Sequence, residues 1–195
     1  MRINGKPLTR PRPQTGLILQ DYGLLPWATV RQNAELGLKI RAFYGPDGTH
    51  APTQIDWDNN VLPWLERLGI QSVADHYPSQ ISGGQRQRTA IARTLVLHPD
   101  LLLMDEPFSS LDAPTREGLQ SLILQLQVEN QLTLVIVTHS IEEAAFMGKR
   151  ILLLGRPPIH QATILENPNA GAEEYRKSQT YLSLCDTLRM KLDQE

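Results

Sequence analysis

The stretch from residue 80 to 112, QISGGQRQRTAIARTLVLHPDLLLMDEPFSSLD, constrains the fold more than any other part of the chain. Ser82-Gly83-Gly84-Gln85 opens a helical pattern. Leu101-Leu102-Leu103-Met104 is an apolar run ending on two adjacent carboxylates, Asp105 and Glu106. After Pro107, the segment Ser109-Ser110-Leu111-Asp112 turns the chain into another helix. A short apolar run ending in acid predicts a fully buried strand that delivers its carboxylates at its C-terminal edge. That edge is where open α/β sheets bind ligands. The Ser-Gly-Gly step leaves the backbone bare at a helix N-terminus, where free N–H groups and the helix dipole favour an anion such as phosphate. Asp105 suits a magnesium ion, directly or through water. Glu106 suits a base that positions an attacking water. Taken singly, SGGQ reads as a turn with a cap and the two acids as a solvated loop; the specificity lies in their order.

The surroundings fit one soluble domain. The 195 residues are enough for a sizeable core. A formal net charge of −2 gives no argument for nucleic acid or an anionic membrane surface. The single cysteine, Cys185, excludes an internal disulfide, which fits a reducing compartment. No apolar run approaches the ~20 residues of a membrane span, and the first residues lack the apolar core of a signal peptide. Any membrane association is therefore expected to be peripheral.

Taken in order, the Asn4-Gly5 pair signals a hairpin turn, and Arg10-Pro11-Arg12-Pro13 an exposed loop. Residues 15–20 predict a buried strand ending at Gln20, and residues 29–42 a helix with Thr29 at its N-cap. Residues 43–60 read as a loop, where His50, Asp56 and Asp58 have no diagnostic metal spacing. A helix is expected over 61–69 with Gly69 at its C-cap, and another from Gln85 to His98. There Arg86 and Arg88 either add positive potential near phosphate or form a solvated face. A helix follows to about Asn130, then a buried strand over 132–137, then a helix capped by Ser140 with Glu143 three residues on. Residues 151–154 predict a further strand, and Pro157, Pro158, Pro168 and Gly171 a linker. The tail, 172–192, predicts an amphipathic helix with Tyr175, Leu182, Cys185, Leu188 and Leu192 on its apolar face.

The segments SGGQ, LLLMDEP and SSLD, in that order, resemble the ATP-binding subunit of ABC transporters, with Ile81 where that family usually has Leu. The resemblance covers essentially the whole chain but starts partway into the family's domain. It implies an α/β fold with a P-loop NTPase-like (RecA-like) core sheet and an ABC α-helical subdomain over about residues 30–98, N-terminally truncated. The ATP-binding domain would span 1–155, and a C-terminal linker and amphipathic helix 156–195. The resemblance further implies ATP and Mg2+ as cofactors. Gln20 would touch the metal and the attacking water, Asp105 would hold the metal, and Glu106 and His139 would be catalytic, His139 as the switch histidine at the γ-phosphate. Ser82, Gly83, Gly84, Gln85 and Asp112 would bind nucleotide, the signature serving a nucleotide held by a second subunit in a head-to-tail dimer. Leu24-Leu25-Pro26-Trp27 resembles importers for nitrate, sulfonates and taurine, and implies transmembrane permease subunits as partners. A solute-binding protein would act indirectly, nucleic acid not at all, and the subunit would sit peripherally on the cytoplasmic face of the inner membrane. Alternatively, Gln20 simply ends a strand and Trp27 packs on its own domain.

The family's phosphate cradle, G-x-x-x-x-G-K-[ST], is not in these 195 residues: Gly5-Lys6 and Gly148-Lys149 are followed by Pro7 and Arg150. The chain alone is therefore expected not to hydrolyse ATP. The strand ending near His139 is expected to present an unpaired edge, giving a marginal or aggregation-prone monomer. Three functions compete: an ATP-hydrolysing importer subunit, a non-hydrolysing degenerate subunit that lends its signature to a complete partner, and an ABC-type ATPase outside transport. The third usually carries coiled coils or tandem domains, which this chain lacks.

Overall fold

The computed structural model describes residues 2–3, 5–7, 9, 12–44, 56–155, 163–172 and 174–194. The chain opens with the expected hairpin: β1 (Arg2–Ile3) pairs antiparallel with β2 (Lys6–Pro7), and Gly5 takes φ +75° in the turn.

The central sheet is parallel, in the order β3 (Thr15–Ile18), β4 (Leu101–Asp105), β5 (Thr133–Val137). Ile18 lies opposite Met104, Met104 opposite Ile136, and Asp105 opposite Val137. All three strands therefore end at one edge. Alternation along the strands sends Gly16, Ile18, Leu102 and Met104 into the core and turns Leu17, Leu103 and Val135 to the other side. Burial on both faces was the expectation for β3 and β5, and it does not hold. Leu17 is 53% exposed, Val135 46% and Val137 59%. The second face lies open among the described residues, and the outer edge of β5 pairs with no described strand. β3 also stops at Ile18, so Gln20 stands in the turn beyond it.

Three helices follow β3: α1 (Val30–Tyr44), α2 (Trp57–Arg67) and α3 (Gly83–Leu95). Thr29 starts α1 with a reciprocal pair, its Oγ1 accepting from Gln32 N (3.3 Å) and its own N–H reaching Gln32 Oε1 (2.9 Å). Of the loop read over 43–60, residues 45–55 lie outside the described residues, and both of its ends are helical. Residues 43–44 belong to α1, and α2 begins at Trp57 because Asp56 caps it, accepting from Asn59 N at 3.2 Å. Asp56 is thus a helix cap; His50 lies outside the described residues. Gly69, at φ +65°, ends the α2 turn in the left-handed region. α3 packs on the sheet so closely that a Cβ on Gly16 would overlap the Thr94 methyl.

After β4 come α4 (Ala113–Glu129), β5, α5 (Ile141–Met147), β6 (Arg150–Leu153), β7 (Thr163–Glu166) and α6 (Gln179–Gln194). β6 and β7 pair antiparallel with Leu152 opposite Ile164, so part of the proline-rich stretch read as a linker is a strand. α6 buries Tyr181, Cys185 and Leu188, whereas Leu182 is 50% exposed and Leu192 42%. Tyr175 is buried from a separate short turn before Ser178, so the helical phase counted from Tyr175 does not carry through. Tyr175 Oη donates to Asn167 Oδ1 (2.6 Å), and Asn167 Nδ2 donates to Ala145 O (2.7 Å), tying this end to α5. Burial pushes the Tyr181 hydroxyl up to about 12 and raises the Cys185 thiol.

Candidate nucleotide site

The parallel order of β4 and β5 brings Asp105, Glu106 and His139 to the same sheet edge. Asp105 is exposed there. Glu106 leaves the strand at φ +46°, a left-handed conformation that a residue with a Cβ rarely adopts. Its neighbours fix it: Glu106 N–H donates to Val137 O (2.9 Å), and Ser109 returns both N–H (3.3 Å) and hydroxyl (3.1 Å) to Glu106 O. This turn aims the carboxylate at His139, whose Nδ1 is 2.7 Å from Glu106 Oε1. The Glu106 side chain is 18% exposed and that of His139 77%. With Nδ1–H donated to Glu106, Nε2 of a neutral imidazole is left outward as an acceptor.

The second half of the site is the start of α3. Ser82 Oγ accepts from Gln85 N (3.2 Å), while Gln85 Oε1 accepts from Ser82 N (2.9 Å). The first helical bond runs from Arg86 N to Ser82 O (2.9 Å), so the N–H groups of Gly83 and Gly84 precede it. These two glycines lie against the start of α4: Cβ atoms there would meet Leu111 and Ser110 O at 3.8 and 3.9 Å and the Thr115 methyl at 2.7 Å. Asp112 is the N-cap of α4, and Thr115 beside it holds its carboxyl below the usual range. Arg86 and Arg88 are half-buried and hydrogen-bonded rather than a freely solvated face. Arg86 donates to Ile81 O (2.8 Å), bracing the turn before the signature, and Arg88 donates to Leu68 O (2.7 Å) at the end of α2.

Gln20 is exposed, two residues beyond β3 on the same sheet edge as Asp105. The loop after it is held by residues that sequence reading passed over. Arg93 of α3 donates to Gly23 O (2.5 Å) and Tyr22 O (2.7 Å), and Tyr22 Oη bonds Ser110 Oγ. Burial lowers the Arg93 pKa. Tyr22 and Gly23 both have positive φ, for which the Asp-Tyr-Gly triplet was the local signal. The Arg93 contacts had no such signal, because both partners are carbonyls some seventy positions away. Asn33, fully buried, organises the Leu-Leu-Pro-Trp turn: Nδ2 donates to Leu25 O (3.1 Å), Ala28 O (3.0 Å) and Thr29 O (3.0 Å), and Oδ1 accepts from Leu25 N (2.8 Å). The turn it fixes presents Trp27 outward, 73% exposed, so Trp27 does not pack on its own domain.

Among the described residues no three His, Cys, Asp or Glu side chains gather as a metal cage. Asp105 and Gln20 carry side-chain oxygens of the kind Mg2+ takes beside a nucleotide, where it keeps waters and phosphate oxygens as its other ligands.

A parallel sheet with paired acids at its C-terminal edge and two glycines at a nearby helix start defines an α/β protein of the P-loop NTPase-like class. The profile of the ABC transporter family matches residues 1–109, and the chain belongs to that family. It is 35% identical over 93% of its length to the nitrate import ATP-binding protein NrtD of Synechocystis sp., covering 65% of that protein. Against the aliphatic sulfonates import ATP-binding protein SsuB of Bacillus thuringiensis it is 35% identical over 93% of its length, covering 67%. The chain thus spans about two thirds of the length of the curated relatives it matches. In three dimensions it resembles MJ0796, a bacterial ABC transporter cassette solved as a dimer, with a TM-score of 0.62 and 32% identity over 76% of this chain and 61% of that one. No helix among the described residues is long and apolar enough to cross a membrane.

Proposed function

We propose that the chain is the ATP-binding, ATP-hydrolysing subunit of an ABC importer for nitrate, a sulfonate such as taurine, or a similar small solute. The Glu106–His139 pair carries this reading. A carboxylate held at 2.7 Å from an imidazole, on a backbone kept left-handed by three hydrogen bonds, is a group fixed before the reaction. In the proposed reaction Glu106 orients the attacking water and accepts its proton. His139 steadies Glu106 through Nδ1 and turns its other nitrogen toward the γ-phosphate. Asp105 and Gln20 would hold a Mg2+ ion, which would supply neutralisation of charge on the phosphates. Gly83 and Gly84 offer their N–H groups, with Ser82, Gln85 and Asp112 around them, to a nucleotide held by a second subunit in a head-to-tail dimer.

Trp27 supports a membrane partner. A tryptophan presented on a turn fixed by four Asn33 hydrogen bonds suits burial under a helix of a permease subunit. On this reading the protein sits peripherally on the cytoplasmic face of the membrane, with a solute-binding protein acting at one remove. The names of the relatives, all import ATP-binding proteins, lend no support to the non-hydrolysing alternative.

The phosphate cradle is not in these 195 residues, so the reaction is that of an assembly containing one. The test is a chimaera in which a segment bearing the G-x-x-x-x-G-K-[ST] cradle precedes this chain. It is expected to hydrolyse ATP and to lose about 100-fold or more in kcat on Glu106→Gln. A folded chimaera that binds ATP without turning it over overturns the reading.

A further inference from the structure

Glu143 is a carboxylate on α5 with 6% of its surface exposed, and it reaches two groups outside its own helix. Its Oε2 accepts the hydroxyl hydrogen of Thr138 at 2.7 Å. Thr138 immediately precedes His139, and its Oγ1 also accepts the N–H of Ser140 at 3.1 Å, so this hydroxyl shapes the backbone on both sides of the histidine. Oε1 faces Arg116 Nε on α4 at 3.8 Å. Arg116 in turn donates from Nη2 to Leu111 O (2.8 Å), inside the Ser109–Asp112 turn. A line of polar groups therefore runs from that turn to the neighbour of His139, hydrogen-bonded at each step except Arg116–Glu143.

One link in the line stands open. Charge-assisted N–H···O bonds close at about 2.8 Å, and the Arg116–Glu143 pair is longer than that at 3.8 Å. Arg116 Nε is buried without a hydrogen-bond partner. A buried donor without an acceptor beside a buried carboxylate is costly, and a small approach of the two relieves both. There is room for it: a cavity of about 380 Å³ lined by Arg116, Glu143, Ser140, Arg176 and Tyr181 adjoins the pair.

We propose that Arg116 and Glu143 are positioning residues that couple the Ser109–Asp112 turn to His139. When the turn shifts, Leu111 carries Arg116 with it and the gap to Glu143 closes or widens. Glu143 transmits the change to Thr138, and Thr138 resets the chain leaving β5, which carries the imbidazole that meets Glu106. The coupling rests on the reading above only for its consequence in turnover; the contacts themselves are measurable without ATP.

The test is amide hydrogen exchange on the full chain, which separates failure of the coupling from failure of the ATPase reading. Thr138→Val removes the hydroxyl, and exchange at residues 109–112 is expected to rise about tenfold through local opening. Thr138→Ser, which keeps the hydroxyl, is expected to match the parent. Glu143→Gln keeps an acceptor for Thr138 but drops the charge facing Arg116, and is expected to raise exchange at 109–112 as well; it also serves should Thr138→Val fail to fold. Coupling is reciprocal, so Arg116→Lys is expected to raise exchange of the Ser140 amide. Exchange at 109–112 that stays within about twofold of the parent in both folded variants overturns the proposal. So does a rise shared equally by every helix, which reports general destabilisation.

Discussion

The Thr115 methyl lies 2.7 Å from the point where a Cβ on Gly84 would stand. The start of α3 and the first turn of α4 are therefore in contact through a glycine, and the N-terminal end of one helix is set by the other. Gly84→Ala forces that methyl aside. Threonine is stiff at χ1, so overpacking of about 1–3 kcal/mol is expected to outweigh the gain in helix propensity. Thr115→Ser removes the methyl, and in that background the same alanine is expected to cost less than about 0.5 kcal/mol. Denaturant midpoints of the four chains decide it; equal costs in both backgrounds would show that the contact is not the cause.

Glu106 is held at φ +46°. A left-handed residue with a Cβ costs about 1–2 kcal/mol, of which the entropy of a glycine in the unfolded chain takes back part. The contact with His139 adds little, because the imidazole is largely in solvent. Glu106→Gly is thus expected to raise stability by about 0.5–1 kcal/mol while abolishing the carboxylate. Glu106→Val, β-branched, is expected to lower it. A glycine variant less stable than the parent would mean that the strain is absent.

Gln87 is fully buried on α3, and neither its Oε1 nor its Nε2 has a hydrogen-bond partner. Replacing a buried amide without partners by an apolar side chain of the same shape removes a desolvation cost of about 1–3 kcal/mol. Gln87→Met is expected to raise the unfolding free energy from denaturant titration by an amount within that range, and Gln87→Ala, which leaves a cavity, to lower it.

Stability in acid follows carboxylates held below their ordinary values, Asp100 and Glu35 as well as Asp112. The Arg12 guanidinium, with contacts of 2.9 and 2.5 Å, holds the Asp100 carboxyl below its ordinary value. At Glu35 burial works to raise the pKa, but Lys39 and Arg31, each at 2.8 Å, prevail and lower it. A carboxyl whose folded pKa lies below its unfolded pKa stabilises the fold fully above the unfolded value, and that share is lost as pH falls through the folded value. Unfolding titrations are therefore expected to show stability falling below about pH 4, with a shallower fall in Arg12→Ala. An Arg12→Ala chain with an unchanged acid slope would exclude Asp100 from the effect.

Much of the site's placement was legible because its signals are local. The starts at Thr29, Ser82 and Ser140 show as cap residues with their partners three positions on. The carboxylates at the end of β4 follow from an apolar run stopped by proline. What escaped reading is non-local. An apolar run such as TLVIV looks the same whether one face or two are covered, so the open side of the sheet did not show. β7 hid because prolines dominate the composition around it, while pairing to β6 across the gap makes it a strand. Arg93, Arg88 and Arg86 bind carbonyls, which every residue carries, so the sequence holds no mark of their partners.

The open face of the central sheet sets how the chain behaves in a tube. Leu17, Val135 and Val137 keep apolar surface in water beside a strand edge that pairs with no described strand. Attraction between such surfaces is entropic near room temperature and weakens on cooling, while sulfate and phosphate strengthen it. A preparation should therefore stay clear in the cold at low salt and turn cloudy on mild warming, below the temperature at which its helices melt. Turbidity that clears again on cooling would report contact between these faces, whereas turbidity that persists would report unfolded chain.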